Sequence, residues 1–274
     1  AIAKAGEIAL RFEKDKIEFW NKSVGQPVTH ADLEINIFLK SFFKKYTPEF
    51  GWLSEESEDD NYRFKKKNFW CVDPIDGTRS YINKRPEYVI SIALVSNTTP
   101  IFGLIFNPKT NEMFSAEKSL GAFCNKGFSL LGLIDMPCLD EMYIGYFGES
   151  LKYSSATLNG TVISASKKIE LSEALIATSS PAAFTELGFE KFQIISEKCK
   201  DTYFGGDCHN YALLASGHID IVMEHKLAPY DMMALVPILL ASGAVVTDWS
   251  GQPIKTQNAG EILAASTAEL HANA

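Results

Sequence analysis

The chain has 274 residues, 46% of them hydrophobic, enough apolar content for one large core or two fused lobes. Its 34 acidic and 26 basic residues leave a net charge of −8, which argues against a nucleic-acid-binding surface, since such surfaces are basic. The same excess suits carboxylates gathered around cations, and equally an ordinary acidic soluble protein.

The periodicity predicts amphipathic helices over 1–20 and 31–46, with Leu33, Ile37, Phe38, Phe42 and Tyr46 on one face of the second. The first twenty residues mix Lys, Glu and Asp among apolar positions and read as though already inside a helix, so no secretory leader is legible. Between the helices KSVGQPVTHAD, with Gly25 and Pro27, reads as a loop, and Lys65, Lys66 and Lys67 as a solvated one. From Phe69 the pattern turns to strands: FWCVD, YVISIALV, PIFGLIF and EMFSA are short, apolar and bounded by turn formers.

IFGLIFNPKTNEMFSA (101–116) and LLGLIDMPCLDEMYIG (130–145) share Gly, Leu, Ile, Pro, Glu and Met at an offset of 29 residues. Shared hairpin grammar is the plainer explanation, but six identities in register favour a local duplication. Further on, DCHNYALLAS reads as a helix stopped at Gly217, HIDIVME as a strand, and APYDMMALVPILLASG as a helix opened by Asp231. AVVTDWSGQPI closes with a strand and turn. Its longest apolar neighbour, 232–246, is broken by Pro237, Ser242 and Gly243 and is too short to span a membrane. Strand runs mixed with helix runs predict a layered α+β fold rather than a regular βαβ series. Five cysteines (Cys71, Cys124, Cys138, Cys199, Cys208), an odd number without C-x-x-C spacing, indicate neither structural zinc nor a disulfide framework, and a reduced cytoplasm is the natural setting.

The chemistry concentrates in WCVDPIDGTRSYI, residues 70–82. A strand ending at Asp73 delivers its carboxylate to the sheet edge, Pro74 bends the backbone, and Asp76 returns one turn later, so both acids can face one pocket. The Ile75 carbonyl between them is free to point the same way, and oxygen donors of this kind suit Mg²⁺. Gly77 lets the backbone approach a phosphate, and the Gly77 and Thr78 amides can donate to it if a helix starts there. A capped turn would look similar, because Pro and Asp-Gly are ordinary turn formers. Glu55 and Glu56 in WLSEES and Asp231 in PYD are the further acids; singly they read as surface residues and a helix cap.

Taken together, WLSEES, DPIDGT and an Asp ahead of ASGAVVTDWSGQPI, with PVTHAD near the start and ILAAS near the end, resemble the inositol monophosphatase superfamily of metal-dependent phosphomonoesterases. The resemblance covers nearly the whole chain. It implies a layered αβαβα sandwich with the metal site between an N-terminal lobe (1–150) and a C-terminal lobe (151–274). The ligands it implies are Glu55, Asp73, the Ile75 carbonyl, Asp76 and Asp231, holding two or three Mg²⁺ ions, with inhibition by Li⁺. Thr78 falls on the water-activating hydroxyl, assisted by Glu55 and oriented by Asp32. Substrate contacts fall on Gly77, Thr78 and Glu224, while Asp207 either meets a substrate amine or imidazole or caps a helix. A homodimer, and neither a nucleic-acid nor a membrane partner, belong to the same expectation.

Within the superfamily, PYDMMALVPI, GGDC, LLASGHIDIVME, TSSP and GLIDMP followed by EMYIG look like histidinol-phosphate phosphatases, whereas GAFCN looks like the inositol branch. Histidinol phosphate is therefore the expected substrate, with inositol monophosphate or a sugar phosphate as the rival. Tyr203 stands where relatives often carry Arg, and His209, His218 and His225 show no metal spacing. Phosphatases with a nucleophilic aspartate need their two Asp two positions apart; here they are three apart, and Glu55 and Asp231 would go unexplained. A partner-binding regulatory protein on the same fold is the non-catalytic alternative, and the intact ligand set argues against it.

Overall fold

A computed structural model describes residues 1–23, 25–59, 61–117, 156–159 and 161–274. Helix α1 (Ile2–Glu13) leads into an antiparallel hairpin, β1 (Phe19–Ser23) and β2 (Gln26–Thr29), and then α2 (His30–Tyr46). Among the described residues a seven-stranded sheet follows in simple order. β3 (Gly51–Ser54) lies parallel to β4 (Asn68–Asp76), and β5 (Val89–Ser96), β6 (Thr99–Asn107), β7 (Glu112–Glu117), β8 (Thr157–Leu158) and β9 (Thr161–Val162) continue antiparallel. The short helix α3 (Thr78–Ile82) joins β4 to β5.

A second sheet has the order β11-β10-β12-β14-β13. β10 (Leu175–Thr178) runs parallel to both β11 (Asp201–Phe204) and β12 (Ile221–His225), and β14 (Glu261–Ala265) runs antiparallel to β12 and β13 (Val245–Thr247). The helices of this half are α4 (Glu186–Ser196), α5 (His209–Ala215), α6 (Pro229–Met232), α7 (Leu235–Ser242) and α8 (Ala268–Asn273).

Side-chain alternation along the strands sorts these elements into five layers. On β4, Trp70 and Val72 point outward to Ile35, Leu39 and Phe43 of α2, while Phe69 and Cys71 point inward to α5 and α7. On β12, Val222 points inward to the same two helices, while Ile221 and Met223 meet Phe192 of α4 and Leu270 of α8. Central strands are thus buried on both faces, which is why they read as unbroken apolar runs. The order is helix, sheet, helix, sheet, helix, as the family resemblance implied. Gly103 on β6 sets the closest approach in the middle layer: a Cβ there would lie 1.9 Å from the Ala234 carbonyl oxygen. Only glycine lets the junction of α6 and α7 rest on the sheet.

Several local expectations are corrected. The first helix stops at Glu13, and KSVGQPVTHAD is a strand hairpin running into α2, whose cap is Thr29. The buried stripe of α2 is Ile35, Leu39 and Phe43; Ile37 is 64% exposed, and the rings of Phe38, Phe42 and Tyr46 meet at tilted angles along the flank. Apolar residues occur all round this helix, and contact with the sheet and α1 decides which stripe is covered. Segment 228–243 divides into two helices, opened by Pro229 rather than Asp231. The 101–116 half of the echo is the β6–β7 hairpin, whereas 130–145 and the lobe boundary at 150 lie outside the described residues. Among the described residues no helix is long and apolar enough to cross a membrane.

Candidate active site

In a regular strand, residues three apart point to opposite faces. β4 escapes that rule at the critical place. Its pairing with β5 passes from Asp73↔Ser91 to Asp76↔Val89, three steps on β4 against two on β5, so one residue bulges. Pro74 occupies the bulge and has no N–H to lose from the ladder. Ile75 consequently turns into the core beneath α1 and α2, while Asp73 and Asp76 both reach the cavity on the inner side. Gly77 follows with φ +86°, and a Cβ there would sit 2.6 Å from the Glu87 carbonyl oxygen. Helix α3 starts at the next residue, Thr78.

Two local hydrogen bonds lock this turn. The Ile75 amide donates to Asp73 Oδ1 at 3.0 Å, and the Thr78 hydroxyl donates to the Ile75 carbonyl at 3.0 Å. The carbonyl expected to be free is therefore engaged by Thr78, and its second lone pair is what remains for a cation. Glu55 follows β3 directly, its amide donating to the Val72 carbonyl at 3.3 Å. Glu55 and Asp73 thus leave the carboxyl ends of two parallel neighbours, where open α/β sheets gather ligands. Lys22 of the β1–β2 hairpin reaches Glu55 at 2.8 Å and Glu56 at 2.6 Å, and Arg79 donates to the Gly25 carbonyl at 2.9 Å. The hairpin is tied to the site at both points.

The opposite wall comes from the second sheet. Glu224 on β12 points inward and accepts from the amide and hydroxyl of Ser179 at 2.7 and 2.6 Å. Asp207 ends a run, Gly205-Gly206-Asp207, in which all three residues have positive φ; the cap of α5 is Cys208, so Asp207 is no helix cap. Asp231 is the third residue of α6, and its carboxylate accepts from the Ala228 amide at 2.7 Å.

Glu55, Asp73, Ile75, Asp76, Gly77, Thr78, Asp207, Glu224 and Asp231 line a single cavity of about 340 Å³. Asp32 lies outside that lining. One of its oxygens accepts from the Thr29 amide and hydroxyl, completing the cap of α2, and the other is buried without a partner, so it makes no bond to Thr78 here. The sequence reading passed over Arg79, Ser179, Cys208 and Tyr211, which also line the cavity. Cys208 and Tyr211 are three apart at the start of a helix, a spacing that puts them on one face once Asp207 is placed in the site.

Burial is the first force on these acids. It pushes Asp73 and Asp76 well above the usual carboxylate range, with Glu55 adding most to Asp73 and Asp207 adding most to Asp76. Burial likewise raises Asp231 and Glu224 to about 7. Among the described residues no Lys, Arg or His pairs with Asp73, Asp76 or Asp231. Like charges buried without a counter-ion are costly, and a hard divalent cation removes that cost. The oxygen-only donor set of these acids fits Mg²⁺. Among the described residues no three His, Cys, Asp or Glu side chains stand close enough together to hold a metal ion as they are placed.

A five-layer sandwich holds this acid-lined cavity between its sheets, an arrangement that suits a phosphoric monoester hydrolase. The chain belongs to the inositol monophosphatase family, whose model matches residues 1–274. It is similar to the chloroplastic bifunctional phosphatase IMPL2 of Arabidopsis thaliana, 33% identical over 270 residues that cover 97% of this chain and 67% of that protein. It is 26% identical to a histidinol-phosphatase of Chlorobaculum parvum, covering 91% of this chain and 83% of that one. Among solved structures, an inositol monophosphatase from Zymomonas mobilis superposes with a TM-score of 0.76 at 30% identity, covering 98% of this chain and 90% of that one.

Proposed function

We propose that the protein is a Mg²⁺-dependent phosphatase whose substrate is histidinol phosphate. The observation that carries this reading is the second pair of acids. A phosphate held near Asp73 and Asp76 has no use for Asp207 and Glu224, yet both line the same cavity from the opposite sheet. Two carboxylates suit a leaving alcohol rich in N–H groups, as an amine beside an imidazole is. The similarity to a protein named histidinol-phosphatase supports the same substrate.

Glu55, Asp73, Asp76, Asp231 and the Ile75 carbonyl would hold the ions. Bound there, Mg²⁺ would offset the phosphate charge, acidify a water and stabilise the departing oxygen. Thr78 holds its hydroxyl on the Ile75 carbonyl, poised to exchange that bond for one with the attacking water, with Glu55 as the nearby acid. The first amides of α3 find no carbonyl within their own helix and are donors for phosphate oxygens. Ser179 fixes the Glu224 carboxylate with two hydrogen bonds, so that the alcohol meets an oriented acceptor. Li⁺ inhibition, a homodimer and a lobe boundary near 150 belong to the same proposal.

The test is phosphate release from histidinol phosphate and inositol 1-phosphate side by side, with Mg²⁺ and with EDTA. Preference for histidinol phosphate by tenfold or more in kcat/KM, abolished by EDTA, is the expected result. Preference for inositol 1-phosphate would transfer the protein to the inositol branch, to which the Zymomonas mobilis neighbour belongs. Absence of Mg²⁺-dependent release from either would favour the partner-binding alternative.

A further inference from the structure

Tyr211 lies in the first turn of α5, borders the cavity and is 3% exposed. Its hydroxyl is buried and has no hydrogen-bond partner. Buried hydroxyls normally find one, as Tyr81 does by donating to the Ala9 carbonyl at 2.7 Å. The groups around Tyr211 are Glu224, Asp76 and Asp231, together with the Cys208 thiol. Burial first, then these acids, push the phenol well above its usual range, so at neutral pH it keeps its proton. Of the two neutral donors beside these acids, the Cys208 thiol is engaged with Asp76, and the Tyr211 hydroxyl is left with a proton to give.

We propose that Tyr211 is a specificity-determining residue that finds its missing hydrogen bond on the leaving alcohol of the substrate. It donates to an acceptor atom of that alcohol, while Glu224, held by Ser179, accepts an N–H or O–H from the same alcohol. The substrate class is a phosphomonoester whose alcohol carries a donor and an acceptor close together. An imidazole ring has both, and so does a vicinal diol; a bare alkyl phosphate has neither. The inference rests on the phosphatase reading of this cavity and holds for either branch of the family.

Tyr211→Phe removes the hydroxyl and nothing else. The experiment compares wild type and Y211F on histidinol phosphate, inositol 1-phosphate and propyl phosphate. The expected result is that selectivity for the preferred polar substrate over propyl phosphate falls about tenfold, mainly through KM, which corresponds to one lost hydrogen bond. The polar substrate that suffers identifies the ring or the diol as the ligand. A hydroxyl without a protein partner also leaves stability untouched when deleted, so the melting temperature of Y211F should equal or exceed that of wild type. Equal losses on all three substrates, or a lower melting temperature with unchanged selectivity, would overturn the proposal, and so would no change at all. Calorimetric titration with the free alcohols histidinol and myo-inositol keeps the two readings apart because it needs no turnover. If wild type releases no phosphate but binds one alcohol about tenfold more tightly than Y211F does, the phosphatase reading fails and the role of Tyr211 stands. If neither alcohol binds, Tyr211 has no such role.

Discussion

Asp220 and Asp73 are both buried aspartates beside a central strand, and they differ in what surrounds each oxygen. The Asp220 carboxylate accepts from Lys168 Nζ and the Leu175 amide, each at 2.8 Å, and from the Ser166 hydroxyl. Its backbone is pinned as well, between the Leu175 carbonyl and the Ser266 amide. Asp73 accepts from the Ile75 amide and otherwise faces Glu55, Asp76 and Asp231. One acid has its charge met inside the fold, where it fastens β10 to β12 and β14. The other is held in place with its charge unmet, which is how a site for a cation is distinguished from a structural joint. Burial alone does not separate them.

Substitution at each place should sharpen the contrast. The largest effect belongs to Asp76→Asn: phosphate release at saturating Mg²⁺ should drop about a thousandfold, because the ion loses a charged ligand. Thermal unfolding of the same variant should be unchanged or shifted upward, since mutual repulsion is relieved. Near-normal turnover would remove Asp76 from the metal site. Asp220→Ala should behave in the reverse way. Chemical denaturation should report a loss of about 2 kcal/mol, because the Leu175 amide and the Ser166 hydroxyl lose their acceptor while Lys168, 37% exposed, falls back on water; the folded fraction keeps its turnover. An Asp220 variant that unfolds like wild type but is inactive would erase the distinction. Gly103→Ala falls between the two, because the added methyl meets the Ala234 carbonyl and pushes on the helix pair that carries Asp231. A cost of about 2 kcal/mol is expected, together with a higher Mg²⁺ requirement in an activity titration.

Part of this was legible from residues alone. Strand runs mixed with helix runs indicated a layered α+β fold, and DPIDGT a pair of acids facing one pocket, while the five-layer order and the roles of WLSEES and PYD came from the resemblance to the inositol monophosphatase superfamily. What stayed hidden depended on contacts between distant segments. The α2 stripe could be chosen only once the sheet and α1 were present, since Ile37 and Leu39 are equally apolar in the sequence. The hairpin at 19–29 looked like a loop because every β1 residue is exposed, leaving no alternation to read. Polar partners were harder still. Ser179 and Glu224 are 45 residues apart, and nothing in TSSP announces that its first serine will hold an acid on another strand.

The bulge in β4 has a consequence for anyone wishing to move this turn to another scaffold. Whether two side chains share a face of a strand depends on whether the count between them is even or odd, and a bulge changes the parity. Asp-Pro-Ile-Asp works with an odd count only because one residue is set aside at Pro74. Grafted onto a flat strand, the same four residues would send one acid to each side of the sheet. Deleting Ile75 here would do likewise unless the bulge vanished with it. The motif is therefore portable only with its irregularity, and a search for such sites should allow for the extra residue as well as for the two acids.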